Sequence, residues 1–366
     1  MATVLAGVIP RPHAPVEVRE LPEPELEPDS GLLEVAFSEV CGTDVYLQQG
    51  RLEGVPYPLI PGHVSVGRLS KIRGQMLDIT GRPFAEGDRV TFLDVHRTCN
   101  ACWHCLVAKA TTRCPHRKVY GITYGLADGL AGGWAQKLYL KPATRCIGLG
   151  DVDFEKFMAG GCALPTALHA VERAEVELGD TVLVLGSGPV GLSAIIFALM
   201  RGALRVLCIG APERRLEAAR QVGAAATLNV EDSDEETRAQ WVLEHTEGRG
   251  ADVTIEATGA PVAVVQAMRY TRDAGRVLIV GQYTDHGEVS LNPHHDLNRK
   301  HLDVRGCWGS DFSHFYRGVR IMADPARSEA WSLLKLDRYK LGEANEALAD
   351  VAAGKVTKAL IAPQAC

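Results

Sequence analysis

The sequence has little of what marks a membrane or nucleic-acid protein. No apolar run approaches the about 20 residues that span a bilayer, and the longest candidate is broken by a glycine turn. There is no basic stripe and no polybasic tail, and the formal net charge is −6, so neither nucleic acid nor a membrane is an expected partner. The first stretch, MATVLAGVIPRPHAP, lacks the basic n-region and long apolar core of a signal peptide. Repeats, low-complexity tracts and long linkers are also missing. These absences point to a soluble cytoplasmic protein. A chain of 366 residues with ordinary apolar content suggests two domains and a sizeable core.

What is present centres on Asp180 to Arg201, DTVLVLGSGPVGLSAIIFALMR. Thr181 to Leu185 reads as a buried parallel strand, Gly186-Ser187-Gly188-Pro189-Val190-Gly191 as a tight turn, and Leu192 to Met200 as a helix. Strand, glycine turn and helix in that order form a dinucleotide-binding fingerprint. Gly186 permits the turn, Gly188 lets backbone N–H groups approach a pyrophosphate, and Gly191 lets helix and strand pack closely. The helix N-terminus offers the phosphates free N–H groups and a positive dipole.

Downstream, strands are expected at Arg205–Ile209, Ala226–Asn229, Asp252–Ala257, Arg276–Val280 and Leu302–Gly306. Helices are expected at 213–222, 234–246 and 261–271. That alternation predicts a doubly wound parallel sheet. An NAD site usually carries an acidic residue at the end of the second strand, about 20 residues past the glycines. Here Gly210 stands there, followed by Ala211-Pro212-Glu213-Arg214-Arg215. Space and two guanidinium groups favour NADP over NAD. The alternative is that Glu213 supplies the acid and both arginines are solvated.

Ten cysteines in a chain read as cytosolic suggest metal binding more than disulfides. Cys99, Cys102, Cys105 and Cys114, spaced C-x2-C-x2-C-x8-C, predict a closed tetrahedral zinc site tying together a lobe at about 97–116. Cys146, Cys208, Cys307 and Cys366 read as buried or terminal thiols with no assigned role. The first thirty residues read as edge strands and turns. Leu32 to Val40 alternates towards a strand that ends at Cys41-Gly42-Thr43-Asp44, and Tyr339 to Pro363 reads as a helix followed by a strand.

Cys41-Gly42-Thr43-Asp44, Pro61-Gly62-His63, the four-cysteine lobe, Cys162 with Thr166 four residues on, and Gly186-x-Gly-x-x-Gly191 together resemble the zinc-containing medium-chain alcohol dehydrogenases. The resemblance covers nearly the whole chain. It implies an α/β protein: a GroES-like β-rich catalytic domain (1–163 and 308–366) with a doubly wound Rossmann domain (164–307) inserted. It implies two zinc ions per chain, the catalytic one on Cys41, His63 and Cys162, a set that leaves a fourth position open. Thr43 would be the relay hydroxyl, Asp44 the carboxylate that holds the His63 tautomer, Thr166 a neighbour of the nicotinamide, and Lys358 a cation for the pyrophosphate. Asp44 also reads as a helix cap, and Lys358 as a solvated strand lysine.

The sequence departs from the family pattern at three places. Tyr46 stands where many members have a relay histidine, Val64 stands where a glutamate usually follows the ligand histidine, and the Cys105–Cys114 interval is one residue longer. The expected activity is hydride transfer between NAD(P) and an alcohol, either secondary, a polyol, or an amino or sugar alcohol. Reduction of an activated double bond and non-enzymatic nucleotide binding are the alternatives. The substrate is a small alcohol or carbonyl, lined by Thr43–Leu47, Phe92–Val95, Trp134 and Trp308, and the assembly a homodimer or homotetramer.

Overall fold

The computed structural model describes residues 2–365, and the chain separates into two compact units. Cys366 lies outside the described residues. One unit holds the residues up to Cys162, Asp311–Ser328 and the residues from Lys335 on; the other holds Ala163–Ser310 and Glu329–Leu334.

The second unit is built on a six-stranded sheet. From edge to edge its strands are Ala226–Asn229, Arg205–Gly210, Thr181–Leu185, Ala251–Glu256, Thr271–Ile279 and Asp303–Gly306. Every neighbouring pair is parallel. Taken in chain order the strands run 3-2-1-4-5-6, the doubly wound arrangement, with order reversing beside Thr181–Leu185. Val182 to Leu185 are buried because helices cover both faces of such a sheet, which is why the run is apolar without alternation. The segment Glu329–Leu334 joins this unit through Trp331. That indole is fully buried, lies 5.1 Å from the Phe197 ring, and donates from Nε1 to Ser193 Oγ at 3.2 Å.

The first unit is β-rich. Its long strand Ser30–Val40 pairs antiparallel with Ser65–Arg73 on one side. On the other side it pairs first with Lys137–Leu140 and then, near its end, with Lys358–Ala362. The sheet continues through Arg89–Phe92 to Cys146–Gly148, and Leu336–Lys340 closes the opposite edge. The chain thus returns after the nucleotide unit to place residue 358 beside residues 39–41. Two apolar clusters, one around Leu32, Leu47 and Trp134 and one around Leu33, Phe92 and Tyr120, form the core on either face. No helix among the described residues is long and apolar enough to cross a membrane.

Candidate active site

Cys41 directly follows the strand Ser30–Val40 and is the N-cap of the helix Gly42–Gln48. Asp44, third in that helix, turns back to accept the Cys41 N–H at 2.8 Å and also accepts the Gly62 N–H at 3.3 Å. One fully buried carboxylate therefore ties the turn carrying His63 to the turn carrying Cys41. Cys162 enters from the end of the helix Phe154–Gly160, after Gly161. The donor atoms of Cys41, His63 and Cys162 lie within 4.8 Å of one another, and Cys41 Sγ is 3.9 Å from His63 Nε2. Tetrahedral zinc with ordinary bond lengths separates such atoms by about 3.5–3.8 Å, so the trio fits this metal.

The electrostatics of the trio favour a ligand sulfur. A hydrogen bond from Cys162 holds the Cys41 thiol well below its ordinary range against the effect of burial, with His63 and Thr43 contributing. Cys162 is pushed correspondingly up by the same bond and by burial. Burial alone would lower His63, but the adjacent Cys41 charge outweighs it and raises the imidazole to about 10. Burial and the Cys41 charge raise the Asp44 carboxyl well above the usual range. Thiols and a protonated imidazole must shed protons to hold a metal, which then takes their place. Asp44 Oδ1 lies 4.0 Å from His63 Nδ1, beyond hydrogen-bond reach, and Nδ1 is buried with no partner among the described residues. The tautomer-holding contact expected of Asp44 is thus open, and its bonds go to the two backbone N–H groups.

A second cluster brings Cys99, Cys102, Cys105 and Cys114 together. Sulfur separations are 3.6 Å for Cys102–Cys105, 3.6 Å for Cys99–Cys114 and 4.0 Å for Cys102–Cys114. The edges of a zinc–thiolate tetrahedron are about 3.8 Å, so four sulfurs already outline one. The extra residue in the last interval leaves this geometry intact; the three-residue 3-10 turn Thr111–Arg113 lies within it.

In the glycine turn of the second unit the glycines have separate structural reasons. Its helix Pro189–Met200 starts at Gly188 with Pro189 in the first position, and Val190 follows. A Cβ on Gly191 would sit 1.9 Å from the Gly186 carbonyl oxygen, whereas one on Gly188 would meet nothing within 4 Å. Gly191 is thus required by packing and Gly188 keeps a space open. At the end of the second strand, a Cβ on Gly210 would fall 2.5 Å from Ser187 Oγ. Ser187 thus fills the place a side chain at this position would take, so the strand end closes with glycine for packing.

Residues 27–151 match the model of the alcohol dehydrogenase GroES-like domain, and residues 189–324 match that of a zinc-binding dehydrogenase. The 5-exo-hydroxycamphor dehydrogenase of Pseudomonas putida is 31% identical over 358 residues, covering 94% of this chain and 95% of its own. An alcohol dehydrogenase from Thermotoga maritima superposes with a TM-score of 0.93 at 31% identity, covering 100% of both chains. The chain belongs to the zinc-containing medium-chain alcohol dehydrogenase family. A zinc-binding dehydrogenase from Sinorhizobium meliloti, solved with NADP bound, superposes with a TM-score of 0.86 at 25% identity over 99% of this chain and 100% of that one.

Within this family member, Thr43 and Tyr46 lie three residues apart on one helix, which puts them on the same face. Both are half-buried, and the Thr43 hydroxyl bonds to Cys41. Thr166 is half-buried in the helix Ala163–Arg173 that begins directly after Cys162. Phe92 and Trp134, expected to line a substrate pocket, are instead fully buried in the two cores, and Trp134 Nε1 donates to the Glu39 carbonyl at 3.1 Å. Lys358, expected beside a pyrophosphate, is 2% exposed. Its Nζ donates to Glu39 Oε1 and, at 3.1 Å, to the Gly160 carbonyl.

Sequence reasoning did not single out Glu39. Its Oε2 accepts the Cys162 N–H at 2.7 Å, and its Oε1 lies 3.3 Å from Cys162 Sγ. The sign available in the sequence was a charged residue near a strand end, two positions before a candidate ligand cysteine.

Proposed function

We propose that this dehydrogenase interconverts an alcohol and its carbonyl compound using zinc and a nicotinamide cofactor, with NADP preferred. The carrying observation is the convergence of Cys41, His63 and Cys162 on one point. When bound, zinc supplies Lewis acidity towards a substrate oxygen, and the nicotinamide ring supplies the hydride chemistry. Two sulfurs and His63 Nε2 would hold the metal and leave one position for substrate. The Thr43 hydroxyl takes the proton shed by the alcohol, and Tyr46, one helical turn on, hands it towards solvent. Burial raises the Tyr46 phenol, so it relays as a neutral hydroxyl.

NADP is supported by the region after Gly210. Glu213, the candidate acid for a ribose hydroxyl, is 2.5 Å from Arg220 Nη2 and so already engaged. Arg214 is exposed and Arg215 half-buried beside it; burial and the Arg214 charge both lower Arg215. An anion there would relieve that repulsion. The secondary-alcohol class is supported by the hydroxycamphor relative, whose named substrate is a secondary alcohol. We assign polyols and amino or sugar alcohols as further candidates and a homodimer or homotetramer as the assembly, which light scattering would count.

The test is a panel of alcohols and ketones followed at the nicotinamide absorbance, with metal analysis. The wild type should carry two zinc ions per chain. Cys41→Ser should lose one and lower turnover by about a thousandfold, the size of several kcal/mol of barrier. Full turnover in that variant, or activity that survives removal of all zinc, overturns the reading in favour of metal-free reduction. Arg214→Ala with Arg215→Ala should raise KM for NADP by about tenfold and leave KM for NAD unchanged. A wild type that strongly prefers NAD ends the NADP assignment.

A further inference from the structure

The proposed zinc site rests on three ligands that reach it from three separate turns, and one buried ion pair holds the turn that carries Cys162. Glu39 is 1% exposed and Lys358 2% exposed, although 319 positions separate them. Burying two charges costs more than their attraction returns unless both are closely hydrogen-bonded, so such a pair calls for a reason. Its bonds supply one. The Glu39 carboxylate accepts the Cys162 N–H and lies against Cys162 Sγ, while Lys358 Nζ holds the Gly160 carbonyl. Between these contacts Gly161 passes so close that a Cβ would sit 2.0 Å from Glu39 Oε2 and 2.7 Å from Lys358 Nζ; its φ of +50° is itself a glycine conformation. The three residues that carry Cys162 to the metal are thus fixed from both sides. The Glu39 main chain reaches the other ligands: its N–H donates to the Val64 carbonyl at 3.0 Å, one residue past His63, and it precedes Cys41 by two.

We infer that Glu39 and Lys358 are positioning residues for the catalytic metal, acting through Cys162, and that Glu39 supplies from the strand the carboxylate that Val64 does not. This rests on the zinc reading above. Lys358 has a defined part. A carboxylate 3.3 Å from a sulfur that must become a thiolate would repel it, and the ammonium on the same Oε1 removes that repulsion.

The experiment compares wild type, Glu39→Gln, Lys358→Met and the double variant. Zinc affinity of the three-ligand site is read by competition with a chromophoric chelator, and its geometry by the thiolate-to-cobalt absorption after cobalt substitution. Lys358→Met, which strands an anion beside Cys162, should weaken the site by about 10- to 100-fold and shift the cobalt spectrum. Glu39→Gln should do so less. The double variant should recover part of the loss but remain about tenfold weaker than wild type. The four-cysteine site should bind equally in all. Zinc affinity within about twofold of wild type and an unchanged cobalt spectrum in Lys358→Met reduce the pair to a structural brace and overturn the inference. Should that variant not fold, the same result in the double variant overturns it. A wild type that holds no metal at Cys41, His63 and Cys162 sinks the zinc reading and this inference together; wild-type zinc affinity in every variant sinks this inference alone.

Discussion

Asp44 carries more structure than its three companions in the Cys41 motif. Its buried carboxylate satisfies two backbone N–H groups, at Cys41 and Gly62. Asp44→Ala would leave both donors without this acceptor, at about 1–3 kcal/mol each, so a loss of about 2–6 kcal/mol in urea unfolding is expected. Zinc at the three-ligand site should fall with it, because both donors sit next to ligands. Asp44→Asn keeps one acceptor oxygen where the two donors use two, so it should lose less than Asp44→Ala in both measurements. Unchanged stability in Asp44→Ala would mean the turns are held otherwise.

The candidate ligands were legible as residues because thiols and an imidazole in that company have few other uses. Glu39 was not, since a lone glutamate in a strand reads as solvent-facing until the returning strand sets Lys358 against it. Trp134 was misread for the opposite reason: its indole N–H finds a carbonyl inside the core, so nothing obliges it to face a pocket.

Among elements, the glycine turn separates two effects that its sequence motif merges. Gly191→Ala drives a methyl group into the Gly186 carbonyl, so the helix Pro189–Met200 must shift from its strand. We expect a lower Tm together with lost cofactor binding. Gly188→Ala meets nothing in the protein itself, so Tm should stay while NADP affinity falls by about tenfold or more, as a Cβ enters the space for phosphate. Equal Tm losses in both variants would refute this division.

Helix caps make a second element-level prediction. Asp311 caps the helix Phe312–Met322, accepting the Ser313 N–H at 2.9 Å and the His314 N–H at 3.3 Å, with His314 Nδ1 at 2.8 Å. The His314 hydrogen bond, against the effect of burial, holds this carboxyl well below its usual range. Because the folded value is the lower one, the stabilisation is complete above the unfolded value of about 3.9 and fades as pH drops through it towards the folded value. Asp311→Asn should therefore flatten the fall in urea midpoint on acidification from about pH 5 to pH 2.

Most nucleotide-unit elements were readable to within a residue or two, since period and turn residues agreed. The exception is the strand Thr271–Ile279, expected only from Arg276. Asp273-Ala274-Gly275 looks like a turn. The strand nonetheless starts straight off the helix because Thr271 Oγ1 bonds both the Ala267 carbonyl and Thr254 Oγ1, each at 2.7 Å. Such a tertiary bond leaves no local trace.

At the scale of the whole chain, the two-piece first unit was legible only through the family resemblance, because the pairing of Lys358–Ala362 with Ser30–Val40 joins residues more than three hundred apart. The two candidate metal clusters sit in different surroundings, from which different duties are predicted. The trio at Cys41 stands against a continuous core and a buried ion pair, so its surroundings keep their shape without help from a metal. The lobe has no such backing. Cys105 and Cys114 are its buried side chains from 99 to 116, while Trp103, Leu106 and Val107 are all more than half exposed. Four sulfurs and what they bind must hold it, and a structural zinc contributes on the order of 10 kcal/mol of folding free energy in small metal domains. Cys105→Ser should thus remove one zinc and open the chain to protease between 97 and 117. Cys41→Ser should remove the other zinc, stop turnover and leave the proteolytic pattern unchanged. If Cys105→Ser resists protease as the wild type does, the lobe is held by its backbone and the division of labour between the metals is wrong.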